Sequence, residues 1–232
     1  MFKKKKSLFG ARSSIAAKIT RGLGGLALMA FAAMPVSAST VFINELHYDN
    51  NGADMDEGVE IAGPAGTSLA GWSLVLYDGS SGTFYDSLSL GGLIPDQQNS
   101  YGAIFFPLTG IQNGGTTAPD GMALMNNTDV MQLISYEGMF TAVDGPAAGL
   151  TSVDIGVAET GTTPLGFSLQ LAGTGSLYQD FAWNGPATGS PGAINAGQTF
   201  APAPVPLPAS LWLMVTGLIA LGSGIRRPRR HI

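Results

Sequence analysis

Short apolar runs alternate with glycine-rich stretches through the middle of the chain. The runs are rich in aromatic and branched residues, which favour strands. Several place apolar residues at every second position, as Trp72, Leu74 and Leu76 do. Away from the two ends, no stretch keeps a helical period over about a dozen residues. The runs that predict strands are VFINELHY (41–48), GWSLVLY (71–77), TFYDSLSL (83–90), YGAIFF (101–106), VMQLISY (130–136), GFSLQLA (166–172) and SLYQDFAW (176–183).

Turn signals separate these runs. Asp or Asn followed by Gly, and paired glycines, favour tight turns between antiparallel strands. Many short strands joined by such turns are typical of two packed sheets. The pattern therefore predicts an all-β fold, an antiparallel β-sandwich over residues 39–200. The turn signals are Asp78-Gly79, Gly91-Gly92, Asn113-Gly114-Gly115 and Asp120-Gly121.

The N-terminus has the layout of a secretory signal peptide. Basic residues from Lys3 to Arg21 precede an apolar stretch of 13 residues at 22–34, and a small-x-small site ends at Ala38. The order predicts a signal peptide over 1–38 with cleavage between Ala38 and Ser39. A retained membrane helix is the alternative, but spanning a bilayer takes roughly 20 residues.

The C-terminus carries a second targeting pattern. A proline-rich stretch at 201–210 favours an extended spacer. An apolar segment of 15 residues follows at 211–225, and as a helix it would rise about 22 Å. Four arginines then begin the tail at 226–232, so the positive-inside rule predicts a transmembrane helix with a cytoplasmic tail and the sandwich outside. The stop-transfer arginines are Arg226, Arg227, Arg229 and Arg230.

Charge is distributed unevenly along the chain. Every lysine and arginine lies at or before Arg21 or from Arg226 onward, and all 16 acidic residues lie between them. Such a segment repels phosphate backbones, so nucleic-acid binding is not expected. Its carboxylates must be solvated, hydrogen-bonded or matched by bound cations. The absence of cysteine from the sequence excludes disulfides and thiolate metal ligands.

An acidic stretch at 49–57, DNNGADMDE, is a candidate calcium site. It supplies hard oxygen ligands within nine positions, and calcium takes six to eight such ligands. The spacing differs from an EF-hand loop, and Asx residues also populate ordinary turns. Calcium binding and a solvated hairpin connection therefore both stay open. The candidate ligands are Asp49, Asn51, Asp54, Asp56 and Glu57.

Catalytic signatures are weak. His47 is the one histidine between the two ends, and no G-x-S-x-G elbow occurs. Serine catalysis needs a base within hydrogen-bond reach of the nucleophile. His47 lies within a strand pattern beside Tyr48, so we interpret it as a packed or surface residue. Pairs of carboxylates could serve an extracellular hydrolase, but their separation is not encoded in the sequence. The sequence favours a non-enzymatic protein.

The run INELHYDNNGADMDEGVEIAGPAGTSLAGWSLVLYDG (43–79) resembles the opening of a lamin-tail-type domain. The resemblance rests on the Ile43-Asn44-Glu45 start, the strand at 57–61 and the Leu69-to-Leu74 segment. Later stretches, including PDGMALMN (119–126), continue it. It implies an immunoglobulin-like sandwich of the kind that bacteria attach to secreted proteins, and no catalytic module.

The order of spacer, apolar segment and arginines resembles the PEP-CTERM class of sorting signals, in its VPLPA variant. This resemblance implies an exosortase as partner, and removal of the helix and arginines after processing. The implied recognition motif is Val205, Pro206, Leu207, Pro208 and Ala209.

Together the patterns predict an exported, non-enzymatic protein of the cell envelope, outer surface or extracellular matrix. Its precursor would be anchored in the inner membrane, and the sorting resemblance implies a role in biofilm with extracellular polysaccharide as a partner. The alternative is a calcium-dependent carbohydrate- or protein-binding module. An extracellular hydrolase is the third interpretation.

Overall fold

The computed structural model describes residues 40–115 and 117–202. The predicted signal peptide with its Ala38/Ser39 cleavage site, the motif at 205–209, the helix at 211–225 and the arginines of the tail lie outside these residues. Within them, no helix is long and apolar enough to cross a membrane.

The described residues form eleven strands in two sheets. Sheet 1 has the order β10-β9-β1-β2-β5, with β11 also paired to β9, and sheet 2 has the order β4-β3-β6-β7-β8. A short 3-10 helix at Tyr178–Asp180 precedes β10. The strands are β1 (Phe42–His47), β2 (Gly58–Pro64), β3 (Trp72–Asp78), β4 (Thr83–Ser89), β5 (Tyr101–Pro107), β6 (Asp120–Asn126), β7 (Asp129–Tyr136), β8 (Val153–Asp154), β9 (Phe167–Gly175), β10 (Phe181–Thr188) and β11 (Gln198–Phe200).

A shared hydrophobic core joins the two sheets. Ile43 and Ile61 of sheet 1 and Leu74 and Leu124 of sheet 2 are fully buried in it. Trp72 belongs to the same core, so the face of β3 that the alternating pattern predicted to be apolar does face the core. The all-β prediction is confirmed, and two sheets around one core are consistent with a β-sandwich.

The outer faces of both sheets are also partly covered. Ala62 and Ala103 alternate with core residues and so face away from the core, and they lie in a second cluster with Phe200. Phe200 stacks on Tyr101 with ring centroids 4.7 Å apart. A third cluster packs Phe140 against the outer face of sheet 2. Because of these covers, strand residues that point outward are buried as well.

A bulge in β1 connects the sheets through a polar contact. The register of β1 against β2 shifts between Ile43 and Glu45. At this bulge the Ile43 N–H donates to Gln132 Oε1 of β7 at 2.8 Å. Gln132 is itself buried, so this hydrogen bond crosses the core in a region where an unpaired N–H would cost free energy.

Three details differ from the sequence prediction. The sheets are mixed, because β8 pairs with β7 and β11 with β9 in parallel. Asp120-Gly121 is the start of β6, where a side chain on Gly121 would meet Ile134 O. The run at 176–183 is a strand only from Phe181 onward, because Asp180 Oδ2 accepts hydrogen bonds from the N–H groups of Ser176 and Leu177 and closes a turn.

The close approach at Gly102 gives a test of the packing of β5. A Cβ atom there would lie 1.9 Å from the Pro95 carbonyl oxygen, whereas one at Gly91 would meet nothing within 4 Å. We expect Gly102→Ala to lower the free energy of unfolding by about 1–3 kcal/mol, as overpacking does. Gly91→Ala is the matched control in urea denaturation. Equal stability of the two variants would contradict this packing.

Candidate functional site

The acidic loop (residues 49–57) connects β1 to β2 and is organised by a residue that carries no charge. Asn50 is fully buried. Its Oδ1 accepts the Met55 N–H at 2.9 Å, and its Nδ2 donates to Ala53 O at 2.9 Å. The loop is therefore braced from inside by hydrogen bonds. Sequence reasoning passed over Asn50, because it looked like one more turn-forming Asx residue.

The five candidate calcium ligands lie in different surroundings. Asn51, Asp54 and Asp56 are exposed, Asp49 is half-buried and Glu57 is buried. Within residues 40–115 and 117–202, no group of three or more His, Asp or Glu side chains is close enough together to hold a metal ion. Calcium binding stays a prediction. Isothermal titration of the purified protein with calcium tests it.

Two of these carboxylates already accept hydrogen bonds from a neighbouring loop. Asp54 Oδ2 accepts from Asn113 Nδ2 at 3.2 Å, and Glu57 Oε2 accepts from the Gly110 N–H at 2.5 Å. Burial raises the pKa of Glu57, although the Gly110 N–H acts in the opposite direction. Burial therefore disfavours the ionised form of Glu57, and a cationic partner would stabilise that form.

His47 forms a buried pair with Glu159, 112 residues later in the chain. His47 Nδ1 lies 2.8 Å from Glu159 Oε1, and the pair is almost fully excluded from solvent. Glu159 Oε2 accepts the N–H groups of Tyr48 at 2.6 Å and Asp49 at 3.0 Å. These contacts hold the end of β1 against the segment around Glu159.

The surroundings of His47 favour the protonated form of its imidazole. His47 Nε2 lies 3.0 Å from Met55 O, and a carbonyl oxygen only accepts, so Nε2 carries a proton. Burial lowers the pKa of His47, but the hydrogen bond and the charge of Glu159 outweigh it and raise the pKa above its usual value. The raised pKa favours the protonated imidazole beside Glu159. Both ring nitrogens are occupied, so His47 has no free nitrogen to act as a base.

A cavity of about 350 Å³ opens beside this pair on the outer face of sheet 1. We call it the Phe105 cavity. Its apolar wall consists of Phe105, Phe167, Pro107 and Pro191. A Cβ atom on Gly58 would lie 2.3 Å from Phe105 Cζ, so the Phe105 ring lies directly over a position that only glycine can occupy. Both phenyl rings are half-buried.

The polar wall of the Phe105 cavity is acidic. It consists of Glu45, Asp56 and Glu57, with His47 beside them. Glu45 is held in place by Ser168 Oγ at 2.7 Å and by the Ser190 N–H at 2.9 Å. A groove adjoins the cavity and shares Asp56, Glu57 and Pro107 with it. The two depressions therefore adjoin at two acidic residues, Asp56 and Glu57.

A second buried carboxylate lies on the same face of sheet 1. Glu60 accepts hydrogen bonds from Asn44 Nδ2 at 2.8 Å and the Gly192 N–H at 2.7 Å. Gln198 Nε2 donates to Asn44 Oδ1 at 2.7 Å. Burial raises the pKa of Glu60 to about 8. This network fastens residues 189–200 over the sheet and thereby supports one side of the Phe105 cavity.

The fold and this site define the class of protein: an all-β protein with two sheets, an acidic surface and a half-open cavity with aromatic walls on one sheet. Comparisons with protein-family models, with curated proteins and with solved structures found no match for this chain.

Proposed function

We propose that this protein is a non-enzymatic, exported protein of the cell surface or extracellular matrix, associated with exopolysaccharide. Its sandwich is of the immunoglobulin-like, lamin-tail type and serves as a display and binding module. The observation that carries the non-enzymatic part of the proposal is that both ring nitrogens of His47 have hydrogen-bond partners. Because its two nitrogens are occupied by Glu159 and Met55 O, the best candidate for a general base is a structural group.

The Phe105 cavity supports a binding role. A concave site with apolar walls and a few convergent polar groups is typical of ligand binding. The carboxylate of Glu45, which lies in the wall, is fixed by serine donors, as recognition groups commonly are. Such a rigid site on a strand face suits a module that holds a partner outside the cell.

The targeting signals support the location. The signal peptide at 1–38 directs export, and the tail at 201–232 has the order of a sorting signal. In this proposal an exosortase recognises Val205 to Ala209, and the arginines hold the precursor in the inner membrane until processing.

Intact mass spectrometry of the protein from its native envelope and culture medium tests this proposal. We expect a species that begins at Ser39 and ends within 205–209, with or without added mass. A species that begins at Ser39 and ends at Ile232 would make the protein a permanently tethered domain, and the sorting part of the proposal would fail.

A further inference from the structure

We propose that the Phe105 cavity and the groove beside it bind a glycan whose sugars carry free amino groups. A sugar ring lies against Phe105 and its ammonium group meets the carboxylates of Asp56 and Glu57. The choice of a glycan rests on the proposed function, whereas the ammonium group follows from the cavity itself.

The apolar wall selects a flat ligand. Phe105 lies over Gly58, and Phe167 and two prolines complete the wall. Aromatic faces accept apolar ring surfaces and attract cations through the ring quadrupole. The volume of about 350 Å³ lies near the lower end for ligand pockets, which suits one sugar unit.

The charge of the cavity selects a cation. Glu45, Asp56 and Glu57 line it, and the charge of His47 is matched by Glu159. The described residues contain no lysine or arginine. A site lined by one sign of charge concentrates ligands of the opposite sign, so an ammonium group is attracted and a uronate or sulfate is repelled.

Partial burial of Glu57 favours binding of a cation. The pKa of Glu57 is raised by burial, which means that its ionised form is destabilised in the free protein. A bound ammonium group offsets part of that cost. The attraction between the ammonium group and the Glu57 carboxylate is stronger in the partly buried cavity than it would be in open water.

The shape selects a polymer. The groove that carries Asp54 shares three lining residues with the cavity. A chain with one ring in the cavity can therefore extend past one further carboxylate, that of Asp54. Repeated cationic units on one chain then add to the affinity through effective concentration.

Isothermal titration with a glucosamine tetramer tests the inference, with the purified protein at about pH 6, below the pKa of an ordinary amine. The N-acetylated tetramer has the same rings without the charge. We expect the amino form to bind at least about 10-fold more tightly than the acetylated form, since one desolvated charge contact is worth more than 1.4 kcal/mol.

Variants separate the two walls of the cavity. Phe105→Ala and Glu57→Gln are each expected to weaken binding about 10-fold, as lost cation–π and charge contacts do. Phe105→Leu retains apolar volume without the flat ring. It replaces Phe105→Ala in the binding measurement if the alanine variant does not fold. Asp129→Asn removes an exposed carboxylate of β7, outside both depressions, and should leave the affinity unchanged.

Three outcomes would overturn the inference. These are absence of binding, equal affinity for the two tetramers, and tighter binding of oligolysine than of the amino tetramer. The last would assign the ammonium site to a protein partner. None of the three alters the masses expected from export and sorting, so failure here is distinguishable from failure of the proposed function.

Discussion

Replacing Glu159 with glutamine is expected to lower the free energy of unfolding by about 3–5 kcal/mol, the usual effect of removing one partner from a buried ion pair. His47 and Glu159 are 2.8 Å apart and nearly excluded from solvent. In the variant the His47 imidazole loses its counter-charge and must either stay charged in a buried place or release its proton. The variant also loses the carboxylate that accepts the Tyr48 and Asp49 N–H groups. Since domains are stable by only about 5–15 kcal/mol, the loss is a large fraction of the total.

Urea denaturation at about pH 6, where an ordinary histidine is mostly protonated, measures this effect. His47→Gln should be destabilising as well, because Glu159 then loses its cationic partner. In a double-mutant cycle the combined loss should be smaller than the sum of the two single losses, since the residues share one interaction. Asp129→Asn is the control for loss of a negative charge. If Glu159→Gln and Asp129→Asn are equally stable, the pair is not the buried ion pair described here.

Seven of the eleven strands could be predicted from apolar runs in the sequence because their signals are local. Trp72, Leu74 and Leu76 alternate with more polar neighbours, and the structure places all three in the core between the sheets. β6 was not among the runs predicted from alternation, because Asp120-Gly121 has the composition of a turn. Only the neighbouring strand β7, whose Ile134 carbonyl approaches Gly121, explains why glycine is required inside a strand.

The site could be predicted only in part, because its contacts are non-local. The acidic loop was visible as a run of charges, but the partner of His47 is Glu159, 112 positions away. Nothing in the sequence around either residue indicates the other. Phe105 and Phe167 looked like ordinary strand residues, and their convergence on one cavity depends on the order of strands in sheet 1.

The uneven charge distribution now has a structural account. The sequence required its carboxylates to be solvated, hydrogen-bonded or matched by cations. The structure buries several of them and supplies donors from N–H groups and from Ser, Asn and His side chains, as buried polar groups require. Glu45 and Glu60 are buried because residues 189–200 cover the face of sheet 1 toward which both side chains point. The buried acidic residues are Glu45, Glu57, Glu60, Asp120 and Glu159.

The pH dependence of stability follows from the raised pKa values. In the folded protein the pKa of Glu60 is raised by burial from 4.5 to about 8. Between these values the folded protein holds a proton that the unfolded chain has released, so stability falls as the pH rises. Burial raises the pKa of Asp120 and Glu137, and the raised pKa of His47 acts in the same direction above its unfolded value.

The expected loss at Glu60 is large. At about 1.4 kcal/mol per pH unit, the free energy of unfolding should fall by roughly 4–5 kcal/mol between about pH 4.5 and about pH 8. The protonated carboxyl has a partner available, since a half-turn of the Asn44 amide would present Oδ1 to it, and amide orientation is assigned from such networks. With a matching half-turn of the Gln198 amide, Gln198 Oε1, which is buried without a partner, would then accept from Asn44 Nδ2.

Glu60→Gln tests this account because an amide mimics the uncharged carboxyl and cannot ionise. We expect the variant to lose most of the fall in stability across this pH range, and to be more stable than the unsubstituted protein at about pH 8, the folded-state pKa of Glu60. Urea denaturation at intervals across the range measures both slopes, with Asp129→Asn as a control that should keep the original slope. A protein that gains stability toward alkaline pH, or a Glu60→Gln variant with an unchanged slope, would show that Glu60 is ionised in the folded state at neutral pH.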